Sequence, residues 1–276
     1  MQHIFKRNVL LSVICLVLLA ASGQFASAQT ARTARELGSQ TARAGFKNEA
    51  EIAAKFENWQ NDAHAREWLR AIGYDPASVR SIKTEKPHGD KSDVVLLIAT
   101  DGGEKRYGIS IKLVSSERGF NQIDKRWLAD YAKMWKMPDD IAEAMKYYVG
   151  EKPPFKTSRD KRRMFLNEFE PDVRERIVTF FETNKKKVVT SLIKGTGRGS
   201  ADLFMVAQRS GKGERWVIKS IDETIAFFAE GNVEITRAGN LKIGRISMQR
   251  KGGDGGRPTA NMLQFKLNPA ELFEAK

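Results

Sequence analysis

Asp93 and Lys112, an acid and a base, stand near the two ends of the stretch KSDVVLLIATDGGEKRYGISIKLV, Lys91 to Val114. Its apolar runs DVVLLIAT and RYGISIKLV flank Asp101-Gly102-Gly103, a tight-turn signal, so the stretch reads as a β-hairpin. Pairing about the point between Gly102 and Gly103 sets Asp93 opposite Lys112 at the open end. Ser110, two residues from Lys112, projects on the same side of its strand. An acid beside a base at the open end of a buried hairpin suits metal-assisted phosphodiester hydrolysis. The carboxylate and the Ile111 carbonyl offer a cation hard oxygen ligands, and the ammonium stabilises or deprotonates the attacking water. The same pair also fits a strand-end salt bridge without any catalytic role, since exposed ion pairs are common.

The hairpin needs a core behind it, and 276 residues with 41% hydrophobic content suffice for one large domain or two small ones. From Phe46 to Ile72 the apolar positions Phe46, Ile52, Ala53, Phe56, Trp59, Trp68, Leu69 and Ile72 keep helical spacing. They form one helix broken near Asn61, or two, and GYDPAS ends it. Helical patterns follow at Gln122–Trp135, Asp139–Val149, Arg159–Glu168 and Asp172–Ile193. KGTGRGS, Lys194 to Ser200, lacks the closing Gly-Lys-Ser or Gly-Lys-Thr of a nucleotide-binding loop and reads as a turn or a DNA-backbone contact. Beyond it ADLFMVAQ, RWVIKS, NVEIT, LKIGRISMQRK and NMLQFKL predict a second, mostly β, block, with a short helix around Glu223 to Phe228.

A formal net charge of +13 calls for a polyanionic partner, nucleic acid first and an anionic membrane surface second. The first 28 residues have the order of a secretory signal: Lys6 and Arg7, an apolar run from Val9 to Ala21, then Ala26-Ser27-Ala28. The run is short for a membrane span, so no stable membrane insertion is expected. Cleavage after Ala28 would remove the only cysteine, Cys15, which excludes disulfides and thiolate metal sites from the mature chain. An export signal implies the periplasm or secretion, and a misassigned start implies the cytoplasm. Residues 29–44 read as a flexible leader and 45–276 as the folded domain, with a catalytic core over about 45–195 and a recognition-rich part over about 196–276.

Asp93, two strands, and then Ser110-Ile111-Lys112 resemble the PD-(D/E)xK motif of many type II restriction endonucleases. GFKNEAEIAAKFENW, IKLVSSERGFNQIDKRWLADYAKMWK, DKRRMF and MQRKGGDGGRPTANMLQFKLNPAELF, in that order, are similar to the HinP-type enzymes, four-base cutters directed at GCGC. The resemblance runs from about Glu36 to the C-terminus. It implies an α/β restriction-endonuclease-like fold, with a mixed central sheet flanked by helices and a β-rich C-terminal region for DNA recognition. It also implies Mg2+, a double-stranded DNA substrate and products with 5'-phosphate and 3'-hydroxyl ends. A companion DNA methyltransferase would act on the same site, and the enzyme would work as a monomer or dimer. Asp93 becomes the principal Mg2+ ligand and Lys112 the base or water-positioning group. Ser110 departs from the motif, where an acid is usual and the HinP type has Gln, and it offers a shorter, weaker ligand. Glu49 on the first helix is the candidate for a compensating metal-binding carboxylate.

Two patches could read DNA. After Lys112, Arg118 and Lys125 can hold phosphates, Asn121 and Gln122 carry the donor-acceptor pairs that base edges require, and Phe120 is either a wedge between base pairs or an anchor tucked into the core. The second patch sets Gln249, Arg250, Lys251, Asp254, Arg257, Asn261 and Gln264 around four glycines. Arg and Lys donate to guanine and Asp accepts from cytosine, a mixture suited to an all-G·C target. Two rival readings stay open: an exported DNase of relaxed specificity, and a DNA-binding protein whose chemistry Ser110 has weakened.

Overall fold

The computed structural model describes residues 39–210, 213–253 and 257–275. The expected signal segment, the leader as far as residue 38, and Asp254 lie outside the described residues. The chain divides after Lys47 into a leading unit, helical over residues 39–47, and a compact unit, Asn48–Lys276. No helix among the described residues is long and apolar enough to cross a membrane.

The compact unit begins with two helices, α1 (48–57) and α2 (Ala63–Ala71), separated near Asn61 as the apolar spacing predicts. Asp62 starts α2 by accepting the Ala65 N–H at 2.9 Å. A five-stranded sheet follows, built from β1 (Val79–Glu85), β2 (Val94–Thr100), β3 (Gly103–Val114), β5 (Leu203–Ser210) and β6 (Gly213–Ser220) in the order β1-β2-β3-β5-β6. Only the β3–β5 pairing is parallel, so the sheet is mixed. Its middle strands are covered on both sides. On β5, Leu203, Met205 and Ala207 pack with Ile52, Phe56 and Trp68 of the first two helices, while Phe204 and Val206 face the opposite core. That is why LFMVA reads as an unbroken apolar run instead of alternating.

The opposite core joins a second five-stranded sheet, ordered β4-β10-β9-β8-β7, to the remaining helices. It contains β4 (Asn121–Arg126), β7 (Val233–Ile235), β8 (Leu241–Ile243), β9 (Ile246–Arg250) and β10 (Leu263–Leu267). Around it lie α3 (Leu128–Trp135), α4 (Asp139–Val149), α5 (Pro171–Thr183), α6 (Lys185–Ile193) and α7 (Ile221–Ala229). Tyr131 and Trp135 of α3 stack at 4.7 Å and both meet Phe265 of β10 edge-on. A Ser220–Glu223 capping box opens α7.

Several expectations need correction. The strands after Gly199 do not form one block, because β5 and β6 complete the hairpin's sheet. The expected helix over Gln122–Trp135 is the edge strand β4 followed by α3. Arg159–Glu168 is not helical: Glu168 accepts from Arg159 N, Phe165 N, Ser158 Oγ and Arg159 Nε, which fixes an irregular loop ending in a short 3-10 turn at Leu166–Glu168. Asp172–Ile193 is two helices, with Asn184 at the joint. Strand β1, VRSIKTE, was not expected at all.

Candidate active site

The hairpin closes with a two-residue turn, Asp101-Gly102, since Thr100 pairs with Gly103. Asp-Gly is a favoured pair for so tight a turn. The register therefore differs by two residues from the one expected: Val94 faces Ile109, and its continuation sets Asp93 across from Ser110, not Lys112. An even shift leaves every side chain on its own face. Lys112 stays on the face of Ser110, and its long side chain spans the difference.

Asp93 Oδ2 is the meeting point. It accepts the Ile111 N–H at 2.6 Å and lies 3.4 Å from both Ser110 Oγ and Lys112 Nζ. Lys112 Nζ also donates to the Ile111 carbonyl at 3.0 Å. Ser110 is buried, and the side chains of Asp93 and Lys112 are 26% and 18% exposed. This pair is sheltered, unlike the exposed strand-end salt bridge that charge spacing alone also allowed. Glu49 on α1 belongs to the same electrostatic site. Burial first, and then the negative charge of Asp93, raise its carboxyl above the usual range, while Lys86 and Lys112 pull it back. A half-buried carboxyl whose charge the neighbouring Asp93 disfavours suits a cation beside it. Among the described residues no three His, Cys, Asp or Glu side chains gather into a metal cluster. Two carboxylates, a hydroxyl and a carbonyl are instead a sparse, hard oxygen set, which fits Mg2+, an ion that keeps several waters and shares substrate phosphates.

The glycine-rich loop braces this site. Lys91 N and Ser92 N both donate to Gly199 O, at 3.0 and 3.1 Å, and Ser92 Oγ donates to Ser200 O at 2.9 Å. A Cβ on Gly199 would come within 2.2 Å of Asp90 Cγ, so the close approach requires glycine there. KGTGRGS thus acts as a turn that holds residues 90–92, directly ahead of Asp93.

The spacing of charges did not reveal Lys91. Its Nζ donates to Ile123 O at 2.6 Å and lies 3.7 Å from Asp124 Oδ2. Burial pushes its ammonium down to about 8, against the opposing pull of Asp124. A buried lysine has no periodic signature, because its burial depends on groups more than thirty positions away in the chain.

The second sheet carries the expected reading residues. Gln249 pairs with Gln264 and Gln264 with Lys125, which makes a polar row across β9, β10 and β4. Gln264 is buried, Gln249 is half-buried, and Lys125 and Gln122 are exposed. Phe120 is 60% exposed, which removes the tucked-anchor alternative. Arg118 is exposed beside it. Asn121 Nδ2 donates to Leu113 O at 3.2 Å and ties down the loop between β3 and β4. Arg250 and Asn261 are engaged internally. Arg250 donates to Val149 O at 2.8 Å and to Asn261 Oδ1 at 2.6 Å, and Asn261 donates to Gly150 O at 2.9 Å, so together they hold the end of α4. Lys251 N and Gly252 N extend the β9–β10 pairing to Met262 O and Ala260 O, and Arg257 is exposed at the far side of the loop.

A mixed sheet that presents these groups beside a second, polar-faced sheet is the architecture of a restriction endonuclease. The chain is similar in fold to the restriction endonuclease MspI, solved in complex with its cognate DNA, with a TM-score of 0.62 over 84% of this chain and 92% of that one at 14% identity. A search of curated proteins gave no match. The model of the R.HinP1I restriction endonuclease family matches residues 72–273, and the chain belongs to that family of type II, site-specific nucleases of double-stranded DNA. The matched span holds Asp93, Lys112 and both patches expected to read DNA, and Glu49 lies outside it.

Proposed function

We propose that the enzyme cuts double-stranded DNA at GCGC with Mg2+, leaving 5'-phosphate and 3'-hydroxyl ends, and that Asp93, Ser110, Glu49 and Lys112 form its catalytic site. The observation that carries this reading is the convergence of Ser110 Oγ, Lys112 Nζ and Ile111 N on one carboxylate oxygen of Asp93. When bound, Mg2+ would supply charge stabilisation at the scissile phosphate and ease deprotonation of the attacking water. Asp93 and Glu49 would hold it, with the Ile111 carbonyl and a water on Ser110 completing the oxygen set. Two of the three Lys112 Nζ protons serve Asp93 and Ile111, and the third is free to orient the attacking water or donate to a phosphate oxygen.

Specificity follows from the second sheet. Lys125 and Arg118 hold phosphates, Gln122 and Gln249 present amides to base edges, and Lys251, Asp254 and Arg257 come from the β9–β10 loop. Arg250, Asn261 and Gln264 support that surface from behind. Phe120 enters the base stack. A methyltransferase of matching specificity would protect the host's DNA.

The test is digestion of two plasmids that differ only in GCGC sites, by the purified protein in Mg2+, with Asp93→Ala as control. Discrete fragments from the GCGC plasmid alone are expected. A smear from both plasmids would identify a relaxed DNase. Intact but retarded DNA would mean that binding has outlived the chemistry.

A further inference from the structure

β4 is the edge of the second sheet, and its pairing with β10 is irregular. Phe265 faces Asp124 and Lys266 faces Gln122, so Ile123 is an extra, bulged residue. Bulges near active sites redirect groups out of the ladder. Here the carbonyl of Ile123 receives Lys91 Nζ at 2.6 Å, from the hairpin that carries Asp93. The next residue, Asp124, has a side chain only 8% exposed and is held from three sides. Tyr131 Oη donates to it at 2.9 Å, Arg126 Nε at 3.0 Å, and Lys91 Nζ stands 3.7 Å away. The backbone of Lys91 is fixed in turn by Gly199 O. Gln122 and Lys125, exposed on the same strand, flank the bulge.

We propose that Lys91 is a positioning residue that couples occupancy of the reading strand β4 to placement of the Asp93 carboxylate, through the bulge at Ile123 and Asp124. The proposal rests on the reading of β4 as a DNA-contacting strand and of Asp93 as a cation ligand. A base or phosphate that engages Gln122 and Lys125 moves the bulge, and the Lys91 strut passes that displacement to a residue two positions further along the hairpin. Such coupling is reciprocal: if DNA tightens cation binding through the strut, the cation tightens DNA binding by the same factor.

The test compares the full-length wild-type protein with Lys91→Met and Asp124→Asn. Binding of a short GCGC duplex is measured in EDTA. Ca2+ binding is then titrated calorimetrically with and without that duplex, and single-turnover cleavage is followed in Mg2+. In the wild type the duplex should tighten Ca2+ about tenfold or more, a coupling of ordinary size. In each variant duplex affinity without cation should stay within about threefold, while the Ca2+ tightening falls below about threefold and cleavage slows at least about tenfold. The double variant should be no worse than either single one, as expected for two parts of one strut. Variants that keep the tightening, or that lose binding and cleavage in proportion, overturn the proposal, as does a wild type without tightening. A wild type that shows the tightening, loses it in the variants and yet never cuts DNA would refute the catalytic reading and leave the strut standing.

Discussion

Glu168 allows a stability effect to be worked through in numbers. Burial alone would raise its carboxyl, but hydrogen bonds from Phe165 N, Ser158 Oγ, Arg159 N and the Arg159 guanidinium outweigh burial and hold it down to about 2. The side chain is 16% exposed, so solvent screens little of this. Against an ordinary glutamate value near 4.5, the depression is worth on the order of 3 kcal/mol at neutral pH. A folded value below the unfolded one means that this stability is present above about pH 4.5 and is lost as the pH falls towards 2. Glu168→Gln mimics the protonated acid at every pH. The gap in unfolding free energy between wild type and Glu168→Gln should therefore shrink by about 2 kcal/mol between pH 7 and pH 3. Urea titrations of both proteins at the two pH values measure it. A gap that stays constant with pH would show that the carboxylate's charge is not what holds the loop. The loop also bears on the proposed DNA surface. It stacks the guanidinium groups of Arg159 and Arg163 on Phe165, each 4.0 Å from the ring centroid, and it brings Arg163 and Arg162 close enough to Arg250 that, after burial, their charges lower its pKa further.

Phe120→Ala should leave unfolding free energy within about 0.5 kcal/mol of wild type, because the ring is mostly exposed, while duplex affinity in gel retardation falls about tenfold; unchanged affinity and cleavage would remove the wedge. Ser110→Gln should lower the Mg2+ concentration that half-saturates cleavage, because an amide oxygen reaches a cation that a serine hydroxyl serves only through water. A Mg2+ titration of cleavage rate that is unmoved, or moved upward, would show that Ser110 takes no part in holding the ion.

Much of this architecture is visible in the residues themselves. The hairpin announces itself through its apolar runs and Asp-Gly turn, and a two-residue error in register does no harm to the site because it is an even number. β4 is harder to recognise. Ile123, Trp127, Leu128, Tyr131 and Trp135 keep a helical rhythm across the strand-to-helix junction, and only pairing with β10 makes the first part extended. The Arg159–Glu168 segment fails as a helix because Glu168 collects its hydrogen bonds from a loop, a tertiary effect that no local propensity encodes. The meeting of Asp93 and Lys112 is legible from the motif, while the nearness of Glu49 to them shows only in the folded chain. Lys91 is not, since its partners Ile123 and Asp124 come near only once the two sheets are packed together. Arg250 and Asn261 have the chemistry of base readers, and only the structure shows that the end of α4 claims them.

The two ways in which the proposed reading residues are mounted bear on how such an enzyme can change its target. The loop between β9 and β10 leaves and re-enters one sheet, and its Asn261 is anchored to Gly150 O at the end of α4. Drift there can retune sequence preference while the chemistry stays intact. β4 lacks that freedom, because Ile123 and Asp124 are tied to Lys91. Selection for a new recognition sequence should therefore collect viable changes in residues 251–257 and leave Ile123 and Asp124 alone, so the bulge marks the boundary between what this scaffold can vary and what it must keep.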